Sequence, residues 1–150
     1  DMPLSVVFMA VFFNAGNTFF NGMTLFHYSQ PYPLSWFYNL KFVAGVIIFA
    51  TGFIINQHAD KILLNLRKPG ETGYKIPYGG MFCWVSCPNY FGEILEWTGW
   101  AIATWTPAGL SFAVWTFANL VPRAIVNHKW YKKQFPDYPD NRKAVIPYII

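Results

Sequence analysis

The sequence predicts an all-α integral membrane protein with about four transmembrane helices. Of its 150 residues, 54% are hydrophobic and 21% aromatic, whereas only 12% are charged. Soluble domains average roughly 25% charged residues, so this composition is typical of a membrane protein. Four apolar stretches have about the length of 20 residues that a helix needs to cross a bilayer. The chain length allows one domain.

The four predicted spans cover residues 3–28, 35–55, 88–105 and 107–126. Asn14, Asn17 and Asn21 interrupt the first span, and their spacing indicates one polar face on a helix. Lys41 lies near the start of the second span, where its side chain can reach the membrane interface. The third span begins at Pro88, a residue that suits the first position of a helix.

Two basic segments predict the topology. Residues 56–78 carry four basic and two acidic side chains, and residues 123–150 carry six basic and two acidic ones. Two spans separate the segments, so both lie on one side of the membrane, and the positive-inside rule assigns that side to the cytoplasm. Four spans return the chain to its starting side. The net charge of +4 is therefore a topological signal, and no nucleic-acid partner is predicted.

The third span contains the first candidate functional residues. Asn89, Glu93 and Glu96 fall within an arc of roughly 60° on a helix. A carboxylate at membrane depth is costly, which makes each acid a functional candidate. The alternative is a polar contact between helices that binds no ligand.

The segment between the second and third spans is rich in turn signals. Pro69 and Gly70 indicate a turn, and Arg67, Lys68 and Lys75 surround it. Such a loop could hold an anion against its backbone amides. The alternative is a solvated basic connector that touches lipid headgroups.

Cys83 and Cys87 form a CxxxC pattern, which fits neither the CxxC redox motif nor a zinc ribbon. We expect ordinary buried thiols. The three histidines are too dispersed to predict a metal site, and no glycine-rich GxGxxG motif supports a Rossmann dinucleotide site.

Longer motifs resemble one family. Residues 56–80 read Asn-x-x-Ala-Asp-Lys-Ile-Leu-x-x-Leu-Arg-Lys-Pro-Gly-Glu-x-Gly-Tyr-Lys-Ile-Pro-x-Gly-Gly, and residues 85–97 read Val-Ser-x-Pro-Asn-Tyr-Phe-Gly-Glu-Ile-x-Glu-Trp. Residues 122–131 contain Pro-Arg-Ala and His-x-Trp-Tyr, and residues 137–147 read Asp-Tyr-Pro-x-x-Arg-Lys-Ala-x-Ile-Pro. These runs are similar to the steroid 5α-reductase family, also called 3-oxo-5α-steroid 4-dehydrogenase. Residues 1–50 match it only loosely.

The resemblance implies that residues 1–150 are the C-terminal membrane domain of a seven-helix enzyme whose first helices precede this chain. It implies NADPH-dependent reduction of the C=C bond of an enone lipid, with a 3-oxo-4-ene steroid as the expected substrate. The expected location is the endoplasmic reticulum in a eukaryote or the inner membrane in a bacterium. The cofactor would enter from the cytosol, and we expect a monomer in contact with membrane lipid.

The resemblance also implies nine cofactor-contacting positions, which are Asn56, Asp60, Arg67, Tyr74, Asn89, Glu93, Arg123, Asn127 and Tyr131. At position 127 the family often has histidine, and an asparagine amide there can donate a hydrogen bond but carries no charge. The family's catalytic Glu and Tyr belong to helices upstream of this sequence, so no catalytic residue is assigned.

Two alternatives remain open at the level of the sequence. One is a membrane methyltransferase of similar architecture that uses S-adenosylmethionine, which a measured preference for NADPH would exclude. The other is a non-catalytic, truncated membrane protein, which further spans and the missing Glu/Tyr pair upstream of Asp1 would exclude.

Overall fold

The predicted all-α class is confirmed by the computed structural model, which describes residues 3–150. The four long helices are α1 (Leu4–Met23), α2 (Leu40–Leu64), α3 (Pro88–Thr104) and α4 (Pro107–Gln134). Three helical stretches among the described residues are long and apolar enough to cross a membrane, namely Leu4–Tyr28, Leu40–Leu64 and Pro107–Gln134. The span count is therefore three by length and composition, where the sequence predicted about four.

α3 is the exception among the four helices. It has 17 residues, fewer than the other three, and carries Glu93 and Glu96. It packs against α2 on one side and α4 on the other, while α1 contacts α4. Both acids of α3 are partly buried in this position.

Four glycines allow α2 and α3 to approach at backbone distance. Gly45 and Gly52 of α2 face Gly99 and Gly92 of α3. A Cβ on Gly52 would lie 2.5 Å from the carbonyl oxygen of Gly92 and 2.6 Å from the amide nitrogen of Glu96. Small residues at such an interface let two helices gain dispersion contacts along their backbones. The α2–α3 pair is therefore the tightest contact of the fold.

The predicted start of the second span, residue 35, is wrong. Residues Leu34–Tyr38 form a short 3₁₀ turn, and Asn39 then caps α2, because its side-chain oxygen accepts from the amide of Lys41 at 2.9 Å. An N-cap residue needs non-helical backbone angles, so the apolar pattern continues through a break in the helix. α1 likewise ends at Met23 and continues as a π-helical turn, Thr24–Tyr28.

The connection between α1 and α2 closes over the end of α3. The Tyr32 hydroxyl donates to the carbonyl oxygen of Thr104 at 2.5 Å, and the Trp36 indole donates to that of Ala103 at 3.1 Å. The last carbonyls of a helix have no partner within the helix, so both bonds satisfy groups that would otherwise be orphaned.

The predicted ends of the second and fourth spans, residues 55 and 126, are also wrong. α2 continues to Leu64 and α4 to Gln134, so Asn56 and Asp60 lie on a helix where the sequence predicted a loop. Hydropathy marks where the apolar stretch ends, whereas the helix continues for as long as its backbone bonds are satisfied. Pro122 lies inside α4 without ending it.

Both basic segments lie toward one end of the bundle, which we call the basic end; it comprises residues 56–87 and 123–150. The amides of Ser86 and Lys143 donate to the carbonyl oxygens of Lys143 and Trp84, each at 2.8 Å. Cys87 is buried as expected, but the expectation for Cys83 is wrong because its thiol is exposed. The predicted placement of both segments on one side fits this geometry.

Candidate functional site

Glu93 and Arg123 face the same cavity. This cavity has a volume of about 390 Å³ and lies between α1, α3 and α4, with Thr116 and Asn119 also in its wall. Asp60 of α2 and Arg123 are the charged groups that act most on the Glu93 carboxyl from outside its own helix. Three helices thus bring two acids and one cation to one region.

Spacing along α4 extends this region toward the basic end. Arg123, Asn127 and Tyr131 are four residues apart and therefore lie on one side of the helix. The Asn127 amide donates to the Cys87 sulfur at 3.8 Å, and burial raises the pKa of that thiol to about 11, while the bond to Asn127 lowers it. Cys87 is therefore a neutral, unreactive acceptor at physiological pH.

A hydrogen bond joins Asn56 and Asn89 where α2 packs against α3. The Asn56 side chain donates to the backbone carbonyl oxygen of Asn89 at 3.1 Å, which ties α2 to the first turn of α3. The bond leaves the Asn89 side chain uncommitted among the described residues.

Tyr74 and Tyr131 belong to one aromatic cluster at the basic end. The rings of Tyr74 and Tyr131 lie 4.8 and 5.1 Å from that of Trp130, and Tyr131 stacks on Tyr138 at 5.2 Å. The loop is thereby attached to the end of α4.

Arg67 stands apart from the other predicted residues. Its guanidinium is exposed and contacts only the Gly73 carbonyl oxygen, at 3.4 Å, among the described residues. Nearby, Lys75 and the amide of Lys68 hydrogen-bond to Glu71 and lower its pKa, so this carboxylate stays ionised. Arg67 is left as a free cation at the edge of the site.

Arg142 is a candidate that the sequence reasoning missed. Its side chain is only 3% exposed, with the guanidinium carbon 4.9 Å from the Tyr78 ring centroid and 5.1 Å from that of Tyr138. Its Nε and Nη1 atoms have no hydrogen-bond partner among residues 3–150. Because an uncompensated buried charge is strongly unfavourable, the geometry suits an anionic group that is bound from outside the chain. The residue lies in a family motif, but no pattern in the sequence signals its burial.

A second missed feature holds Tyr138 in place. The Ser86 hydroxyl lies 2.6 Å from both His128 Nδ1 and the Tyr138 hydroxyl, so one buried network joins α4, the start of α3 and the C-terminal segment. The network fixes the ring on which Arg142 and Tyr131 stack.

A larger apolar cavity adjoins the one at Glu93. It has a volume of about 760 Å³ between α1 and α4, and both cavities share Met9, Phe13, Phe112 and Trp115 as walls. Asn17 and Asn21 line the larger cavity but not the smaller one. Such a space suits a flat, apolar ligand with few polar groups.

Glu96 lies in a different environment from Glu93. Its backbone is at the close contact with Gly52 of α2, and among the described residues it lines neither cavity.

Comparisons with known proteins extend the resemblance over the whole chain. A family model described as 3-oxo-5-alpha-steroid 4-dehydrogenase matches residues 1–150. The steroid 5-alpha-reductase DET2 of Gossypium hirsutum is 49% identical over 148 residues, which cover 98% of this chain and 57% of that protein. The 3-oxo-5-alpha-steroid 4-dehydrogenase 1 of Bos taurus is 45% identical over 149 residues, which cover 99% of this chain and 58% of that protein. The protein of that name from Homo sapiens is 45% identical over 148 residues, which cover 99% of this chain and 57% of that protein.

The chain spans little more than half the length of these relatives. The match also includes the first 50 residues, where the motifs gave only a loose resemblance. By this match, the chain belongs to the 3-oxo-5-alpha-steroid 4-dehydrogenase family.

Proposed function

We propose that this chain forms the NADPH site and part of the substrate cavity of a membrane enzyme that reduces the C=C bond of a 3-oxo-4-ene steroid to the 5α product. The observation that carries the proposal is the adjoining pair of cavities. One contains Glu93 and Arg123, the other is large and apolar, and they share four side chains. The names of the relatives, which specify steroid 5-alpha-reduction, support the same reaction.

The residues of the basic end fit a cofactor with several phosphate groups. Arg142 offers two buried nitrogen atoms without partners among the described residues, and Arg67 and Arg123 add two further guanidinium groups. Guanidinium forks bind phosphate by paired, charge-assisted hydrogen bonds.

The remaining positions suit the uncharged parts of the cofactor. Asn89 and Glu93 would orient the carboxamide of the nicotinamide, and Asn127 adds an amide on the same face of α4 as Arg123. Ribose and phosphate oxygens would be bound by the other four residues, which are Asn56, Asp60, Tyr74 and Tyr131. NADPH would supply the hydride that adds to the β-carbon of the enone.

The chain's own contribution to catalysis is orientation and exclusion of water. Hydride addition develops negative charge on the enone oxygen, where a preorganised donor typically contributes ~3 kcal/mol. The resemblance assigns that donor to a Glu/Tyr pair outside this chain. Phe13, Phe112 and Trp115, which belong to the wall shared by the two cavities, would keep the reacting carbon in an apolar environment.

We further propose that the basic end faces the cytoplasm. Its two segments are both basic and bond directly to each other, which fits the positive-inside rule. The cofactor would then bind from the cytosol, and the lipid substrate would reach the apolar cavity from the membrane.

The test is oxidation of NADPH by the full-length protein in detergent, with 4-ene-3-one steroids, polyprenals and enoyl thioesters as substrates. We expect oxidation with the steroids, a preference for NADPH over NADH, and a raised KM for NADPH in Arg123→Ala. Lys133→Ala, an exposed basic residue on the same helix, is the matched control and should leave KM unchanged. Absence of steroid-dependent oxidation, or methyl transfer from S-adenosylmethionine, would contradict the proposal.

A further inference from the structure

Asn17 and Asn21 are amides at membrane depth in the wall of the larger cavity. A polar group in this environment is costly unless it has a partner. Asn21 has one in another helix, because the indole Nε1 of Trp100 donates to its Oδ1 at 3.0 Å. This bond ties α1 to α3 and accounts for Asn21 as a helix-pairing residue.

The same bond determines how the amides of Asn21 and Asn17 are oriented, in a relay of hydrogen bonds that runs from Trp100 through Asn21 to Asn17. An indole N–H can only donate, so the Asn21 atom facing Trp100 must be the oxygen. The Asn21 Nδ2 group then points toward Asn17, where it donates to Oδ1 at 2.9 Å and to the backbone carbonyl oxygen at 3.2 Å. Because the Asn17 oxygen is the acceptor, its NH₂ group is directed away from Asn21. No described residue accepts a hydrogen bond from it.

The hydroxyl groups nearby do not offer a comparable donor. Thr24 donates to the Phe20 carbonyl oxygen and Ser111 to that of Pro107, each at 2.8 Å. Their hydrogens are therefore committed to their own helices. Of the two amides in this cavity, Asn17 is the one that keeps a free donor.

We infer that Asn17 recognises an acceptor oxygen at the far end of the substrate, and that Trp100 is a positioning residue that orients the Asn17 amide through Asn21. The inference rests on the proposed function, in which the enone end of a rigid steroid lies near Glu93. The opposite end then extends into the larger cavity, which Asn17 lines and Glu93 does not. The ligand group is a ketone or hydroxyl oxygen, because the protein offers a neutral N–H donor in apolar surroundings.

The test compares two 4-ene-3-one steroids that differ only in a ketone at the end of the ring system opposite the enone. In the full-length protein, Asn17→Ala should raise KM for the ketone steroid roughly two- to tenfold, the range of one net hydrogen bond. KM for the steroid without that ketone, and kcat for both, should stay unchanged. Asn14→Ala is the matched control, since Asn14 bonds to the carbonyl oxygen of Ala10 in its own helix and lines neither cavity.

Trp100→Phe tests the relay without touching the ligand, and keeps the inference testable if Asn17→Ala folds poorly. Loss of the indole N–H lets both amides rotate, so KM should rise for the ketone steroid alone, by less than in Asn17→Ala. Equal changes for both steroids, or none, would overturn the inference and leave the proposed function standing. If the wild-type protein reduced neither steroid, the proposed function would fail, and the inference with it.

Discussion

At the scale of single residues, polar side chains in this bundle are held in short chains of hydrogen bonds. Ser86 bonds to both His128 and Tyr138, and Trp100 bonds to Asn21. Arg142 departs from this pattern, since two of its buried nitrogen atoms lack partners among the described residues. Because a buried guanidinium without partners is costly, we propose that an anionic group of the cofactor pairs with it.

Arg142→Gln should have opposite effects with and without NADPH. Without cofactor, removing a buried, unpaired charge should leave the melting temperature unchanged or raise it. With NADPH, the loss of a charge-assisted bond should cost roughly 1.5–3 kcal/mol of binding, which raises KM by at least tenfold. The measurement is the thermal shift of the full-length protein with and without NADPH.

The control for Arg142 is Lys143→Gln. The Lys143 backbone makes the bonds to Trp84 and Ser86, and its residue is exposed, so its charge can be removed without disturbing them. An Arg142→Gln protein with an undiminished NADPH shift would exclude this residue from the cofactor site.

Glu93→Gln should reduce turnover at saturating NADPH far more than Glu96→Gln does. Glu93 faces the cavity together with Arg123, and the change keeps its shape while exchanging an acceptor oxygen for a donor. Glu96 lies at the α2 contact and lines neither cavity, so its substitution acts on packing. Both variants are compared at equal amounts of folded protein. Equal losses of turnover, or a larger loss for Glu96→Gln, would show that Glu93 is not the functional carboxylate.

At the scale of helices, the contact between α2 and α3 positions the site. It brings Asp60 toward Glu93 and lets Asn56 reach the backbone of Asn89. The contact depends on glycines whose Cβ positions are occupied by the backbone of the partner helix, so neither helix can move aside locally.

Gly52→Ala should therefore destabilise the protein, although alanine favours helix by up to about 1 kcal/mol over glycine. The added Cβ would lie 2.5 Å from the Gly92 oxygen, and overpacking of this kind costs about 1–3 kcal/mol. Gly22→Ala is the control, because nothing lies within 4 Å of its Cβ position in α1. We expect the melting temperature to fall for Gly52→Ala and to stay unchanged for Gly22→Ala. Similar values for both variants would mean that the helices can separate without loss.

At the scale of the whole molecule, the sequence predicted what depends on local pattern. Apolar stretches located all four long helices, because they follow from helical periodicity. The polar face predicted for Asn89, Glu93 and Glu96 is divided in the structure, since of these three residues only Glu93 lines one of the two cavities. Helix ends were predicted less well: α2 extends to Leu64 beyond its apolar part. The burial of Arg142 could not be predicted, since it depends on a C-terminal segment folding back onto residues far away in the chain.

The two cysteines of the basic end test the topology of the molecule directly. The Cys83 thiol is exposed, whereas Cys87 is buried with a pKa of about 11. Thiolate is the reactive form of cysteine, and the raised pKa keeps Cys87 almost entirely protonated at pH 8. A membrane-impermeant maleimide added from the cytoplasmic side should label Cys83 and spare Cys87, and Cys83→Ser should abolish the labelling. Asp140→Cys in that background should restore it, because residue 140 is also exposed at the basic end. Labelling of either position only from the opposite side would reverse the proposed orientation.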